Sequence, residues 1–475
     1  MAKEKNENIE LITGDPKKAI VKLSYPLMLT MILIMMYNLV DSIWVAGLGT
    51  EALAAIGFVT PLYMAVIGMG NGVAAGANSL IARKIGAEDY DQANNAALHS
   101  ILLSVVISAI LTAIILIFMV PILEAIGAGD TMQYSLDYSY VIFGFMFVIV
   151  FEELASAIFR AEGDIRRATI VIAASVVVNI VLDPILIYHF NMGISGAAWA
   201  TIISTVFSCI ILAYLIWGKK DLYLDLSLKK FNFQIDLIWE NLKVAIPSTV
   251  ETLITSALIM IINVMLEMVG GYPSVGVYTA AMRIVQLGTL PILAIGVSLI
   301  TVAGVAYGAK NAENLKTAHS YSIKICLVIS SLIVVFIIAF ASQIAPLFAS
   351  GEVSSTLIPQ IATALQILSF FIILLPFGAM SAMMFQGIGK GTTSMIITFL
   401  RYFTFNILFA YIFCFEFGWG ENGIYLGFVV GSFVGGLIGY IWTKSFIKSF
   451  ENSLKIRAKA YEKLLITYEN FKKKW

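Results

Sequence analysis

From residue 20 onward the chain sets long apolar runs between short polar breaks. A spanning helix needs roughly 20 mainly apolar residues. Twelve runs reach that length, near 20–46, 52–81, 97–122, 136–159, 167–189, 194–217, 243–267, 274–306, 319–341, 359–385, 394–416 and 422–443. Their length and their Leu, Ile, Val and Ala content predict helices, since barrel strands would be shorter and would alternate. The pattern therefore predicts an all-α polytopic membrane protein. A polar tail (1–19) precedes six spans (20–217), a polar linker (218–242) leads into six more (243–443), and a basic amphipathic tail (444–475) follows.

Composition agrees: 59% of the 475 residues are hydrophobic and 13% charged, against about 45–50% and 25% in soluble domains. This excludes a soluble enzyme or a nucleic-acid-binding module. The net charge is zero, so its placement carries the information. Lys3, Lys5, Lys17, Lys18 and Lys22 lie in or beside the first tail, and nine basic residues follow from Lys444 to Lys474. Arg83, Lys84, Arg160, Arg166, Arg167, Lys219, Lys220, Lys229, Lys230 and Lys310 fall at the even-numbered loops, while the odd-numbered loops hold no Lys or Arg. One face is thus basic, and the positive-inside rule places it, with both termini, in the cytoplasm. No cleavable signal peptide is read, and the expected location is the plasma membrane. The C-terminal tail is expected to lie as a helix on anionic inner-leaflet lipid. Cys209, Cys326 and Cys414 sit in apolar runs and read as small hydrophobes.

The two halves repeat. LSYPLMLTMI around Pro26 matches VAIPSTVETL around Pro247, and ARKIGAEDYDQANNA (82–96) matches GVAYGAKNAENLKTA (304–318), with Gly86 over Gly308. IFRAEGDIRRAT around Gly163 matches MFQGIGKGTTSM around Gly389, and GISGAAWATIIS near Gly196 matches GENGIYLGFVVG near Gly423. Six spans is an even number, so the halves are parallel repeats related by an axis along the membrane normal. Two such lobes favour a cavity between them and alternating access.

The candidate chemistry lies in polar residues within spans. Asp41 follows Asn38 by three residues and Tyr37 by four, so the three share a helix face. In NIVLDPILIY, Asn179 and Asp183 are four apart, and Pro184 leaves the Ile180 carbonyl without its helical donor. Thr201, with Ser204 nearby, adds a hydroxyl oxygen. Carboxylate, amide, carbonyl and hydroxyl oxygens suit Na⁺ or a proton. A carboxylate inside a membrane costs about 2.5–3.5 kcal/mol at the helix centre and is a functional candidate by default. A lone Asn or Thr is often glue between helices. Glu251, four residues after Pro247, is a possible second coupling or substrate site; Glu152 and Glu153, close before Arg160, read as structural. Pro26, Pro184 and Pro247 are expected helix kinks. Arg283 and Arg401 are expected to pair with Glu251 or with helix carbonyls.

These motifs, in this order over residues 18–443, resemble the MATE (multidrug and toxic compound extrusion) family, in its DinF-like branch. NLVDSIWVAGLGTEALAAIG, ARKIGAEDYDQA, FRAEGDIRRAT and NIVLDPILIY followed by GISGAAWAT carry the resemblance. It implies a twelve-helix antiporter with two pseudo-symmetric six-helix lobes, exporting organic cations and other amphipathic compounds in exchange for Na⁺ or H⁺. It further implies an N-lobe cation site at Asp41, Asn179, Asp183 and Thr201, with Tyr138 rather than Tyr140 contributing a hydroxyl. No cofactor or catalytic residue is expected, and the expected partners are small-molecule substrates and lipid, with the monomer as the working unit.

Two rivals differ in chemistry. A lipid-linked oligosaccharide flippase of the same superfamily needs cationic groups for a diphosphate, and the N-lobe spans are acidic instead. An intramembrane aspartyl protease would use EGD at 162–164, which faintly resembles GxGD, but position 161 is Ala161 and Asp164 sits beside Arg166 and Arg167.

Overall fold

The computed structural model describes residues 2–219, 222–348 and 357–472, and all regular structure among them is helical. In chain order the helices are α1 (Ala2–Thr13), α2 (Pro16–Ala46), α3 (Thr50–Gly86), α4 (Tyr90–Ile117), α5 (Met119–Ala125), α6 (Met132–Gly144), α7 (Met146–Ala161), α8 (Ile165–Pro184), α9 (Gly193–Ala213), α10 (Ile235–Gly308), α11 (Ala312–Ile344), α12 (Ile358–Gly387), α13 (Gly391–Phe399), α14 (Ile407–Tyr411) and α15 (Gly420–Lys472). Four π-helical turns follow α8 (Ile185–His189), α9 (Tyr214–Gly218), α13 (Leu400–Asn406) and α14 (Ile412–Glu416). Lys220, Lys473 and Lys474 of the charge pattern lie outside the described residues.

Ten of the helical units are long and apolar enough to cross a membrane, and α6 with α7, bent by 47°, makes an eleventh. The 74-residue α10 supplies two crossings, divided where Gly271 leaves helical geometry (φ 69°, ψ −167°). The result is twelve crossings in two six-helix lobes.

Local chemistry moves the boundaries away from the ends of the apolar runs. Pro16 opens α2 behind the Asp15 cap, whose carboxylate accepts from Lys17 N at 2.9 Å. The repeat shows in the caps as well: Asp89 accepts from Gln92 N, and its mate Asn311 from Asn314 N.

The helix boundaries add detail to the tails, the linker and the prolines. The linker ends at Gln234, because α10 begins at Ile235. Within the polar first tail, α1 buries Ile9 and Ile12 in the main core. The C-terminal tail is no separate helix, since α15 runs unbroken for 53 residues, about 80 Å, up to Lys472. Pro26, Pro184 and Pro247 all lie inside helices, and a π turn follows Pro184 directly.

The lobes meet along their basic halves. A Cβ on Gly86 would collide with Val305 O, and one on Gly308 with Arg83 O. Because Gly86 matches Gly308 and Arg83 matches Val305, these are one contact seen from both sides of a pseudo-two-fold axis. Ser24 donates to Ser298 at 3.1 Å, Thr301 to Asn78 at 2.9 Å, and Ser79 to Gln386 O and Gly387 O at 2.6 and 2.8 Å. Arg83 pairs with Glu240 at 3.3 Å. Among the described residues, every side-chain hydrogen bond between the lobes lies in this half, so the molecule is closed at its basic face.

Candidate functional site

The N-lobe gathers most of the predicted polar residues at one place. Asn179 (2% exposed), Asp183 (0%) and Thr201 (7%) are buried where α8 packs on α9. The Asn179 amide satisfies both neighbours when its nitrogen donates to Asp183 Oδ2 and its oxygen accepts from Thr201 N, each at 3.2 Å. Asp41 comes from α2, close enough to Asp183 for their charges to repel. Tyr37, Tyr63 and Tyr138 surround Asp41, and Tyr37 reaches the Thr201 side chain. One Oδ atom of each aspartate is buried without a hydrogen-bond partner. Neither aspartate forms an ion pair among the described residues.

Some predicted residues fall elsewhere. Asn38 is exposed and stands outside the cluster. On a helix, residues one apart diverge by about 100°, so the turn that half-buries Tyr37 and Asp41 carries Asn38 off that face. Tyr138 is in the cluster, whereas Tyr140 is 47% exposed. Glu251 lies in the C-lobe, where Gln386 Nε2 donates to its two oxygens at 3.3 and 3.2 Å and Thr398 donates at 3.1 Å. Arg401 forms no ion pair with it, although its charge reaches that carboxylate. The Arg401 guanidinium stacks over Tyr402 at 4.1 Å. Asp164 pairs with Arg167 at 3.2 Å near the start of α8. It is nineteen residues, about 28 Å, along that helix from Asp183, which removes the two-aspartate arrangement a protease needs.

Beneath the aspartates is a cavity of about 130 Å³, space for several waters. Tyr37, Asn179 and Thr201 line one part, and Glu152, Glu153 and Ser156 another. The two glutamates are cavity residues, which the sequence reading missed. Their spacing from Arg160 suggested a local pairing. In the fold Ser208 of α9 donates to Glu152, and Arg160 Nη1 donates to Ser156 Oγ at 2.8 Å.

The C-lobe repeats the frame and omits the chemistry. Gly163 and Gly389 both turn with positive φ (86° and 80°), a conformation suited to glycine. The π turns 185–189 and 412–416 occupy matched positions. On those registers, Tyr37, Asp41, Asn179, Asp183 and Thr201 correspond to Leu258, Ile262, Asn406, Ala410 and Phe428. Leu258, Ile262, Ala410 and Phe428 are all core residues, and Phe428 packs on Phe371 with ring centres 5.0 Å apart. The same helices therefore fold around apolar side chains. The N-lobe acids are not a requirement of the architecture.

Two pseudo-symmetric six-helix lobes, closed at one face and with a polar cavity in the N-lobe, define a membrane transporter. The chain belongs to the MATE family: the MatE family model matches residues 26–185 and again 247–412, once in each lobe. A solved outward-facing multidrug resistance MATE transporter of the MOP superfamily is 38% identical, with TM-score 0.91, covering 94% of this chain and 99% of that one. The FAD transporter of Shewanella oneidensis is 27% identical over 77% of this chain and 79% of its own length. The multidrug export protein MepA of Staphylococcus aureus is 28% identical over 58% of this chain and 61% of its own.

Proposed function

We propose that the protein is a secondary antiporter of the plasma membrane that exports amphipathic organic cations in exchange for H⁺ or Na⁺, with Asp41, Asn179, Asp183 and Thr201 as the coupling site. The observation that carries this reading is the pair of aspartates, Asp183 buried and Asp41 half-buried, each with one buried oxygen lacking a hydrogen-bond partner and each absent from the matched position of the C-lobe. A carboxylate held inside a membrane without a fixed cation is suited to a mobile one. The export role of the relative MepA supports the direction, and the acidic cavity weighs against a diphosphate-lipid flippase.

With the basic face in the cytoplasm, the closed basic half corresponds to the outward-facing state. In that state the aspartates take the ion and substrate leaves. In the inward-facing state the ion is released and substrate enters from cytoplasm or inner leaflet. Each net charge moved is worth about 2.3 kcal/mol per 100 mV. Exchange of one monovalent cation for one proton is therefore electroneutral and driven by ΔpH alone. The monomer already holds both lobes and is the working unit; Glu251 tunes substrate handling in the C-lobe, and the DinF-like branch is the best fit to the motifs.

The test is ethidium efflux from proteoliposomes, driven in turn by a Na⁺ gradient and by ΔpH. Wild-type protein responds to one of them; Asp41→Asn and Asp183→Asn insert normally and respond to neither. Full efflux by both variants would sink the proposal.

A further inference from the structure

The N-lobe cavity is lined by Glu152, Glu153 and Ser156 as well as by Tyr37, Asn179 and Thr201, and by neither aspartate. Along α9, Thr201, Ser204, Thr205 and Ser208 recur at helical spacing and form one hydroxyl-bearing face. Seven residues carry that face about 10 Å from Thr201 toward the basic side. Ser204 and Thr205 donate to Thr201 O at 2.9 and 2.7 Å, and Ser175 of α8 donates to Ser204 O at 2.7 Å. Ser208, fully buried, donates to Glu152. Glu152 lies nine residues before the basic-side end of α7 at Ala161, about 14 Å, whereas Asp183 lies eighteen residues from the start of α8, about 27 Å. Glu152 is thus about half as far from that side as the aspartate.

The charged and titratable groups around this end are few. Tyr63 lines the cavity and is within electrostatic reach of Asp41 and of both glutamates. Glu153 neighbours Glu152 on α7, and Arg160 two turns on reaches Glu153 with its charge. Glu152 forms no ion pair among the described residues. At the position matched through Gly163 and Gly389, the C-lobe carries Gly378. Glu152, like the aspartates, belongs to one lobe only.

We propose that Glu152 is a second station for the coupling ion, receiving it from Asp41 and Asp183 and passing it to the basic face. This rests on the reading of those aspartates as the coupling site. For H⁺, the Asp183 O–H bond breaks as one forms on a cavity water, and that water yields a proton to the Glu152 carboxylate; no other reactant is needed. For Na⁺, the carboxylate and the neighbouring hydroxyl and carbonyl oxygens offer the hard ligands it takes. Hydroxyls both donate and accept, so the face serves either ion.

The experiment uses the full chain in proteoliposomes. Glu152→Gln keeps an acceptor for Ser208 and loses the charge. The purified variant is expected to bind ethidium within about twofold of wild type, yet to pump about tenfold more slowly under whichever gradient, Na⁺ or ΔpH, drives wild type. Glu152→Asp restores efflux to within about threefold of wild type. Wild-type efflux by Glu152→Gln, alongside an inactive Asp183→Asn, overturns the second station and leaves the coupling site standing. Wild-type efflux by both means the coupling site itself is wrong. If Glu152→Gln does not insert, Ser208→Ala releases the Glu152 carboxylate from its hydrogen bond and slows efflux about threefold; an unchanged rate then counts against the station.

Discussion

The two lobes share a frame and differ in what fills it. Matched caps, positive-φ turns and π turns hold the helices of both. Inside that frame the N-lobe places Asp41 and Asp183 next to Tyr37, Asn179 and Thr201, which line a cavity, and the C-lobe places Ile262, Asn406, Ala410 and Phe428 in a packed core. The comparison separates what the fold needs from what was added to it. An aspartate is no better than alanine for holding α8 against α9, and its insertion costs more. Of the five matched pairs only the asparagine persists. In the C-lobe its oxygen accepts from Ser432 at 3.1 Å, which is a structural use.

The largest expected effect is at Asp41 and Asp183. Replacing Asp183 by alanine, the residue the C-lobe uses, should remove gradient-driven efflux while leaving thermal stability unchanged or raised; a large fall in melting temperature would mean the acid is structural. Next is the seam. Gly86→Val puts side-chain atoms against the Val305 carbonyl and should cost about 1–3 kcal/mol of stability. It should also open the basic half, read as faster alkylation of a cysteine placed at Ser79; protection like that of wild type would show the seam is looser than its packing. The paired asparagines should then diverge: Asn179→Ala slows efflux about tenfold, whereas Asn406→Ala costs about 1 kcal/mol of stability and leaves the rate within twofold. Equal effects on transport would erase the distinction between the lobes. Smallest is Glu251→Gln, expected to alter the apparent affinity for ethidium by about threefold without changing which gradient drives efflux.

Much of this was legible in the chain. Run length and the one-sided distribution of Lys and Arg gave the crossings, and the Gly86/Gly308 match located an axis that the packing makes literal. Spacing of four put Asn179 with Asp183 and Tyr37 with Asp41. Periodicity fixes a face and leaves its partner open. Nothing near Glu152 in FEELASAIFR points to Ser208, 56 residues away on another helix. Asn38 stands apart from Tyr37 for a related reason: one residue along a helix is a quarter-turn. The N-terminal helix was hidden by its polarity. Only Ile9 and Ile12 are buried among its described side chains, and Ile12, with the Asn8 carbonyl, packs on the turn at Gly163, which belongs to a distant loop.

The central claim is that ion and substrate compete through the N-lobe acids. It is tested most directly by titrating purified protein with ethidium at a series of Na⁺ concentrations and, separately, of pH values. Wild-type affinity should fall about tenfold as the coupling ion is added, and Asp183→Asn should bind ethidium with an affinity insensitive to both ions. A variant that keeps the wild-type dependence would place the coupling elsewhere in the molecule and contradict the account.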